Sequence, residues 1–326
     1  MANELGELKI KNLKSVWGHE ERDFTPWLAM EPNLAQLSEA IGLDLQLERT
    51  EVPVGPYSAD LLAKDASGAY VVVENQFGKT DHDHLGKLIT YGATLGASVV
   101  VWIAETFTDE HRKALEWLND HTTEELALYA VQLEVLQIDE SRPALRFNVV
   151  SQPSELARDA SIARTAGPLS ENQQLQLEFW RQFRDRLIEK KVVTSAQAPR
   201  PQYWFDVPLG RTYFSLSNIC DTSGRIGVRV YINNKIAASA LPQLEAQKNA
   251  IETEIGSPLE WNPHPGNRDK IIGLFRHVDL QKRANWAEYC DWLVETVAKF
   301  RKVFMPRVKA LTLSDTGPSM NESVPS

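Results

Sequence analysis

Cysteine is almost missing from this chain of 326 residues: Cys220 and Cys290 are the only two. Two cysteines with no CxxC partner and no histidine at ligand spacing exclude a disulfide framework and a cysteine zinc site, and they suit a reducing compartment. No stretch reaches the roughly 18 apolar residues that a membrane helix needs. The opening segment MANELGELKIKNLKSVWG has no apolar core of signal-peptide length. The expectation is a cytoplasmic protein that does not engage a membrane. Low-complexity blocks and internal repeats are absent too, which excludes solenoid and fibrous architectures.

What is present is an ordinary globular composition, 43% hydrophobic and 24% charged, at a length that usually needs two cores. Positive charge is scarce in the first part. Residues 1–150 hold 12 basic against 25 acidic residues, net −13, and the remainder holds 23 against 19, net +4. A surface of −13 repels a polyanion, so a nucleic-acid partner would be met by the second part or through bridging metal ions.

Composition shifts at SQPSELARDASIARTAGPLSE, small, polar and aperiodic, which sets a linker at 151–171 between domains 1–150 and 172–310; a polar tail follows at 311–326. The first domain reads as α/β. A helix is expected at LAQLSEAIGL, with strands near 45–52, 58–64 and 69–76, a helix over 81–96, the strand SVVVWIAE, the helix DEHRKALEWLND and strands LALYAVQLEVLQI and ALRFNVV. The second reads as α+β. It has an amphipathic helix from 171, strands in TYFSLSNICDTSGRIGVRVYIN with a turn at Thr222-Ser223-Gly224, a helix IAASALPQLEAQKNAIETEIG, short strands LEWN and KIIGLFRHV, and a helix from Trp286 to Phe304.

The stretch VVVENQFGKTDHDHLGKLITYGA, from Val71, is the most informative. A hairpin whose turn is centred on Ser67 sets Asp60 opposite Glu74, with Cβ atoms roughly 4.5 to 5.5 Å apart. Strand alternation puts Val72, Glu74 and Gln76 on one face and Val73 and Asn75 on the other. Two such carboxylates either emerge into solvent at strand ends or share a hard divalent ion, to which a backbone carbonyl near Asn75 could add an oxygen. Thr80 and Asp83 have capping-box spacing, so Thr80 is the expected N-cap. On the helix that follows, His84, Lys87 and Tyr91 line one side, beside Leu85, Leu88 and Leu95. His82 and His84, two apart, point different ways and do not share a metal.

These residues resemble the PD-(D/E)XK nuclease superfamily: an acid on one hairpin strand (Asp60), acid-x-residue on the next (Glu74-Asn75-Gln76), a helix, then SVVVWIAE. The whole chain is similar to a bacterial family that joins such a domain to a domain of unknown function 4268, on VENQFGKTDHDHLGKLITYGA and LEAQKNAIETEIG. The resemblance implies a restriction-endonuclease-like mixed sheet flanked by helices, followed by a second α+β domain. It also implies Mg²⁺- or Mn²⁺-dependent cleavage of DNA, in bacterial defence or DNA processing, with Asp60, Glu74 and Gln76 catalytic and Asp60, Glu74 and Asn75 at the metal. Gln76 stands where the family has Lys; Lys79 or Lys87 could restore the charge, and Glu31 or Glu39 could be the assisting upstream acid.

In the second domain Arg181 and Arg184 in EFWRQFRDR, Arg211 in RPQYWFDVPLGR, and Lys299, Arg301 and Lys302 in KFRKVF interleave with aromatics. That pattern either stacks bases and neutralises phosphates, or is a helix core with its basic residues on the wet side. The competing expectations are a module that binds nucleic acid or a protein partner without cutting, and an oligomerisation scaffold; a homodimer or protein partner through the second domain fits either.

Overall fold

Two strands with continuous buried runs, β3 (Tyr57–Lys64) and β4 (Tyr70–Lys79), build the centre of the first unit. The computed structural model describes residues 5–65, 68–122, 126–153, 169–221 and 224–313, and the chain divides into Met1–Leu169 and Ser170–Ser326. In β4, Val71 and Val73 enter one core with Leu34, Leu37 and Ile41, while Val72 enters a second core with Leu88, Tyr91 and Trp102. The sheet is therefore buried on both faces, as parallel strands covered by helices require.

Seven strands form this mixed sheet. In chain order they are β1 (Leu8–Lys11), β2 (Gln46–Val54), β3, β4, β5 (Val99–Thr106), β6 (Ala127–Ile138) and β7 (Ala144–Ser151). Their spatial order is β1-β6-β5-β4-β3-β2, with β7 also on β6. Strands β2, β3 and β4 are antiparallel neighbours, whereas β4, β5 and β6 run parallel. The parallel pairs are joined by α4 (His82–Leu95) and α5 (Asp109–His121). Ahead of β2 lie α1 (Leu13–Val16), a π turn at Glu20–Phe24, α2 (Thr25–Ala29) and α3 (Glu31–Ile41). A hairpin, a helix and a parallel strand in this order are what the nuclease resemblance implies.

The second unit is an antiparallel five-stranded sheet, β11-β12-β10-β9-β8, with helices packed on it. Its elements are α6 (Glu171–Glu189), β8 (Trp204–Pro208), β9 (Phe214–Asp221), β10 (Arg225–Ile232), α7 (Asn234–Glu245), α8 (Lys248–Ile255), β11 (Glu260–Trp261), β12 (Lys270–His277) and α9 (Trp286–Ala310). The single helix expected over 236–256 is two, divided at Ala246 and Gln247, and β8 is a strand that periodicity does not reveal. Ser170 caps α6 through a full capping box with Gln173, so the last two residues of the expected linker are the cap and first residue of a helix. Residues 154–168 of that linker, 314–326 of the tail, the centre of the first hairpin turn at 66–67, and Thr222-Ser223 lie outside the described residues.

Candidate active site

The register of β3 and β4 pairs Leu61 with Val73 and Ala63 with Val71, and one further step of it sets Asp60 opposite Glu74. The paired ladder stops one residue short of the acids. There the Asn75 N–H donates to Asp60 Oδ2 at 2.6 Å, so a carboxylate takes the place of a strand carbonyl. Both acids are deeply buried, Asp60 at 7% and Glu74 at 4% exposure, and Glu74 Oε2 has no hydrogen-bond partner.

Burial raises the Asp60 pKa, and Glu20, Glu51 and Glu21 raise it further against the opposing Asn75 N–H. Burial likewise raises the Glu74 pKa, with the Asp60 charge next in weight and Lys87 opposing. These are the two effects expected of like charges drawn out of water. A third acid joins them. Glu20, in the π turn, accepts a hydrogen bond from the Phe77 N–H, and burial raises its pKa as well. Neither Glu31 nor Glu39, both on α3, is among the charges that act most on Asp60 or Glu74. The upstream acid at the site is Glu20, which sequence reasoning missed.

Gln76 is 5% exposed, and its Nε2 donates to the Lys79 carbonyl at 2.9 Å and to Asp81 Oδ2 at 2.6 Å, leaving Oε1 buried without a partner. The Asn75 side chain is turned to the opposite face, where Nδ2 donates to Thr25 Oγ1 at 3.1 Å; only its backbone remains for the acid side. On α4, Tyr91 is 1% exposed, and its pKa is raised by burial and by Glu74. Lys87 pairs with Asp83 at 3.0 Å and acts on Glu74 and Glu20 from there. His84 Nδ1 lies 2.9 Å from Asp81 Oδ1. Lys79 is exposed, and its charge is felt by Glu110 and His111 on α5 rather than by the acid pair.

The N-cap of α4 is Asp81, which accepts from the His84 N–H at 2.9 Å, and not Thr80. Thr80 is buried and its hydroxyl is already engaged, by the Thr108 N–H at 3.1 Å and by His111 Nδ1 at 2.8 Å. His82 and His84 do go separate ways: His82 meets His111, Nδ1 to Nε2 at 2.7 Å.

Among the described residues no group of three or more His, Cys, Asp or Glu side chains stands gathered as a metal site. A hard ion such as Mg²⁺ needs only one or two carboxylates, with water and phosphate oxygens completing its shell. Asp60, Glu74 and the orphaned oxygens of Glu74 and Gln76 fit that need in number and in donor type.

The basic candidates of the second unit fall into two sets. Arg184 is 8% exposed beside Asp185. Arg211 donates to the Val308 and Leu311 carbonyls at 2.6 and 2.8 Å, at the C-terminus of α9, and Arg301 donates to the Pro208 carbonyl at 2.6 Å. Arg211 and Arg301, both half-buried, thereby tie α9 to the end of β8 and the turn that follows it, with their guanidinium groups engaged by carbonyls. Lys299 and Lys302 are exposed on α9, and Arg181 is partly so on α6.

No helix among the described residues is long and apolar enough to cross a membrane. No curated protein matches the chain. Similar solved structures include a repair endonuclease from Pyrococcus abyssi, at 20% identity over 22% of this chain and 34% of that one, with a TM-score of 0.20. A complex of EndoMS with double-stranded DNA is similar at 18% identity, 30% and 43% coverage, and a TM-score of 0.22. SfsA of Pyrococcus furiosus in complex with Ca²⁺ is similar at 16% identity, 32% and 54% coverage, and a TM-score of 0.22. The chain thus spans between about a third and about half of these structures. In the second unit residues 175–308 match a family model, the one described as Domain of unknown function (DUF4268).

Proposed function

We propose that the protein is a nuclease that hydrolyses phosphodiester bonds in DNA with Mg²⁺ or Mn²⁺, in bacterial defence or DNA processing. The observation that supports this best is the pair Asp60 and Glu74, buried on adjacent strands with no basic partner within hydrogen-bonding reach among their contacts. A buried carboxylate pair is costly unless a proton or a cation offsets it. Asp60 and Glu74 hold the ion in this reading, and Glu20 stands beside them to orient water. The chemistry that a bound ion supplies is polarisation of the scissile phosphate and a hydroxide nucleophile near neutral pH. Lys87 contributes positive charge close to Glu74, and Tyr91 lies buried near Glu74.

A second reading, a module that binds nucleic acid or a protein partner without cutting, is favoured by Gln76, which brings no charge where the resembled family has Lys. The test is to incubate plasmid, linear duplex, single-stranded DNA and RNA with the protein in Mg²⁺, Mn²⁺ or EDTA, beside Asp60→Ala and Glu74→Ala. Metal-dependent cutting that both substitutions abolish is expected. DNA binding without any cutting, unchanged by either substitution, favours the second reading.

A further inference from the structure

The amide of Gln76 is locked, and the lock decides which end of it is left without a partner. Both Nε2 hydrogens are taken, one by the Lys79 carbonyl at 2.9 Å and one by Asp81 Oδ2 at 2.6 Å. A carbonyl can only accept. Asp81 accepts as well, through Oδ1 from the His84 N–H at 2.9 Å and through Oδ2 from the Gln76 amide. Turning the amide over would set its oxygen against two acceptors, so the orientation follows from chemistry. What remains is Oε1, buried and without a hydrogen-bond partner, on the same face of β4 as Glu74 with its own orphaned Oε2.

From this we infer that Gln76 is an oxygen ligand, the third protein side chain beside Asp60 and Glu74 to hold the divalent cation, and does not stand in for a lysine. The inference rests on the metal-site reading above. A lysine in this position donates and brings positive charge; Gln76 accepts and is neutral, and amide oxygens are ordinary ligands for hard ions. Asp81 and the Lys79 carbonyl are then positioning groups, which aim the oxygen by occupying the nitrogen. Such outer partners of a metal ligand commonly govern affinity by about 10- to 100-fold.

The experiment counts bound Mn²⁺ directly, through the loss of the free-ion electron paramagnetic resonance signal on titration, in the full chain without any substrate. The variants are Asp60→Asn, Gln76→Leu, Gln76→Lys, and the double variant Gln76→Glu with Asp81→Asn, each checked for fold by circular dichroism. The double variant reverses the Asp81 half of the lock, where the asparagine donates and the glutamate accepts; the Lys79 carbonyl loses its donor, and the carboxylate still offers an oxygen to the ion. Wild type binding one Mn²⁺, with affinity lost in Asp60→Asn, weakened about tenfold or more in Gln76→Leu and Gln76→Lys, and kept or improved in the double variant, is the expected result. Gln76→Lys matching wild type overturns the inference, as does Gln76→Leu, while the metal site itself stands. No Mn²⁺ bound by wild type overturns both. If Gln76→Leu does not fold, the lysine and double variants decide alone.

Discussion

Replacing Glu74 by Gln should make the metal-free protein more stable at alkaline pH, although it removes a residue proposed to be essential for activity. The reasoning starts from the raised pKa values of Glu74 and Asp60. A carboxyl whose pKa is higher folded than unfolded keeps its proton more tightly in the folded state. Stability is then fullest below the ordinary carboxyl range and is lost as pH rises from about 4 towards the folded pKa. Each tenfold change in proton affinity is worth about 1.4 kcal/mol, and the pair is displaced by more than one such step. The Gln amide cannot ionise, so Glu74→Gln should gain roughly 2–3 kcal/mol at pH 8 in EDTA and little at pH 5. In a unit of this size that is about 4–12 °C in Tm. Scanning calorimetry of both proteins at the two pH values measures it. A variant less stable than wild type at pH 8, or a gain equal at pH 5 and pH 8, would refute the argument.

Mn²⁺ should raise the wild-type Tm far more at pH 8 than at pH 5.5, because the ligands must lose protons that burial makes them keep; about 2.7 kcal/mol is expected at 100 times Kd. Asp60→Asn should abolish the rise. Lys87→Met should slow cutting about tenfold or more, while Tm moves by no more than a few degrees, since the ion pair it breaks with Asp83 lies at the surface. Arg211→Ala should destabilise the second unit by about 1–3 kcal/mol, through the carbonyls it leaves unsatisfied, without weakening nucleic-acid binding. Lys299→Ala with Lys302→Ala should do the reverse if α9 meets phosphate.

The acid pair was legible because it depends on local rules. A turn centred on Ser67 fixes Leu61 against Val73, and alternation then fixes which of Glu74, Asn75 and Gln76 share a face. The position of His84, Lys87 and Tyr91 followed from helix spacing in the same way. What escaped was decided at long range. Glu20 reaches the site because the Phe77 N–H, 57 residues away, holds it there. Thr80 loses the cap of α4 because His111, 31 residues on, claims its hydroxyl. Arg211 and Arg301 look like phosphate ligands until the carbonyls at Val308, Leu311 and Pro208, each over 90 residues away, are seen to occupy them. The orientation of the Gln76 amide needs both Lys79 and Asp81 in place, and neither a strand rule nor a helix rule states it.

Charge joins these local features to the question of how DNA could approach. Residues 1–150 carry −13, a sum that already counts the two acids at the candidate site as ionised. A divalent ion there would neutralise the pair and give the phosphate a positive charge to meet, so affinity for DNA should depend on the ion even when no bond is cut. Ca²⁺ takes the same oxygen donors as Mg²⁺, usually with more ligands, and allows the dependence to be measured without fast hydrolysis. Fluorescence anisotropy with a labelled duplex should show binding about tenfold or more tighter in Ca²⁺ than in EDTA at constant ionic strength, with the difference gone in Asp60→Asn. Equal affinity in Ca²⁺ and EDTA would mean that DNA is held elsewhere, by the exposed lysines of α9, and that the buried acids play no part in binding it.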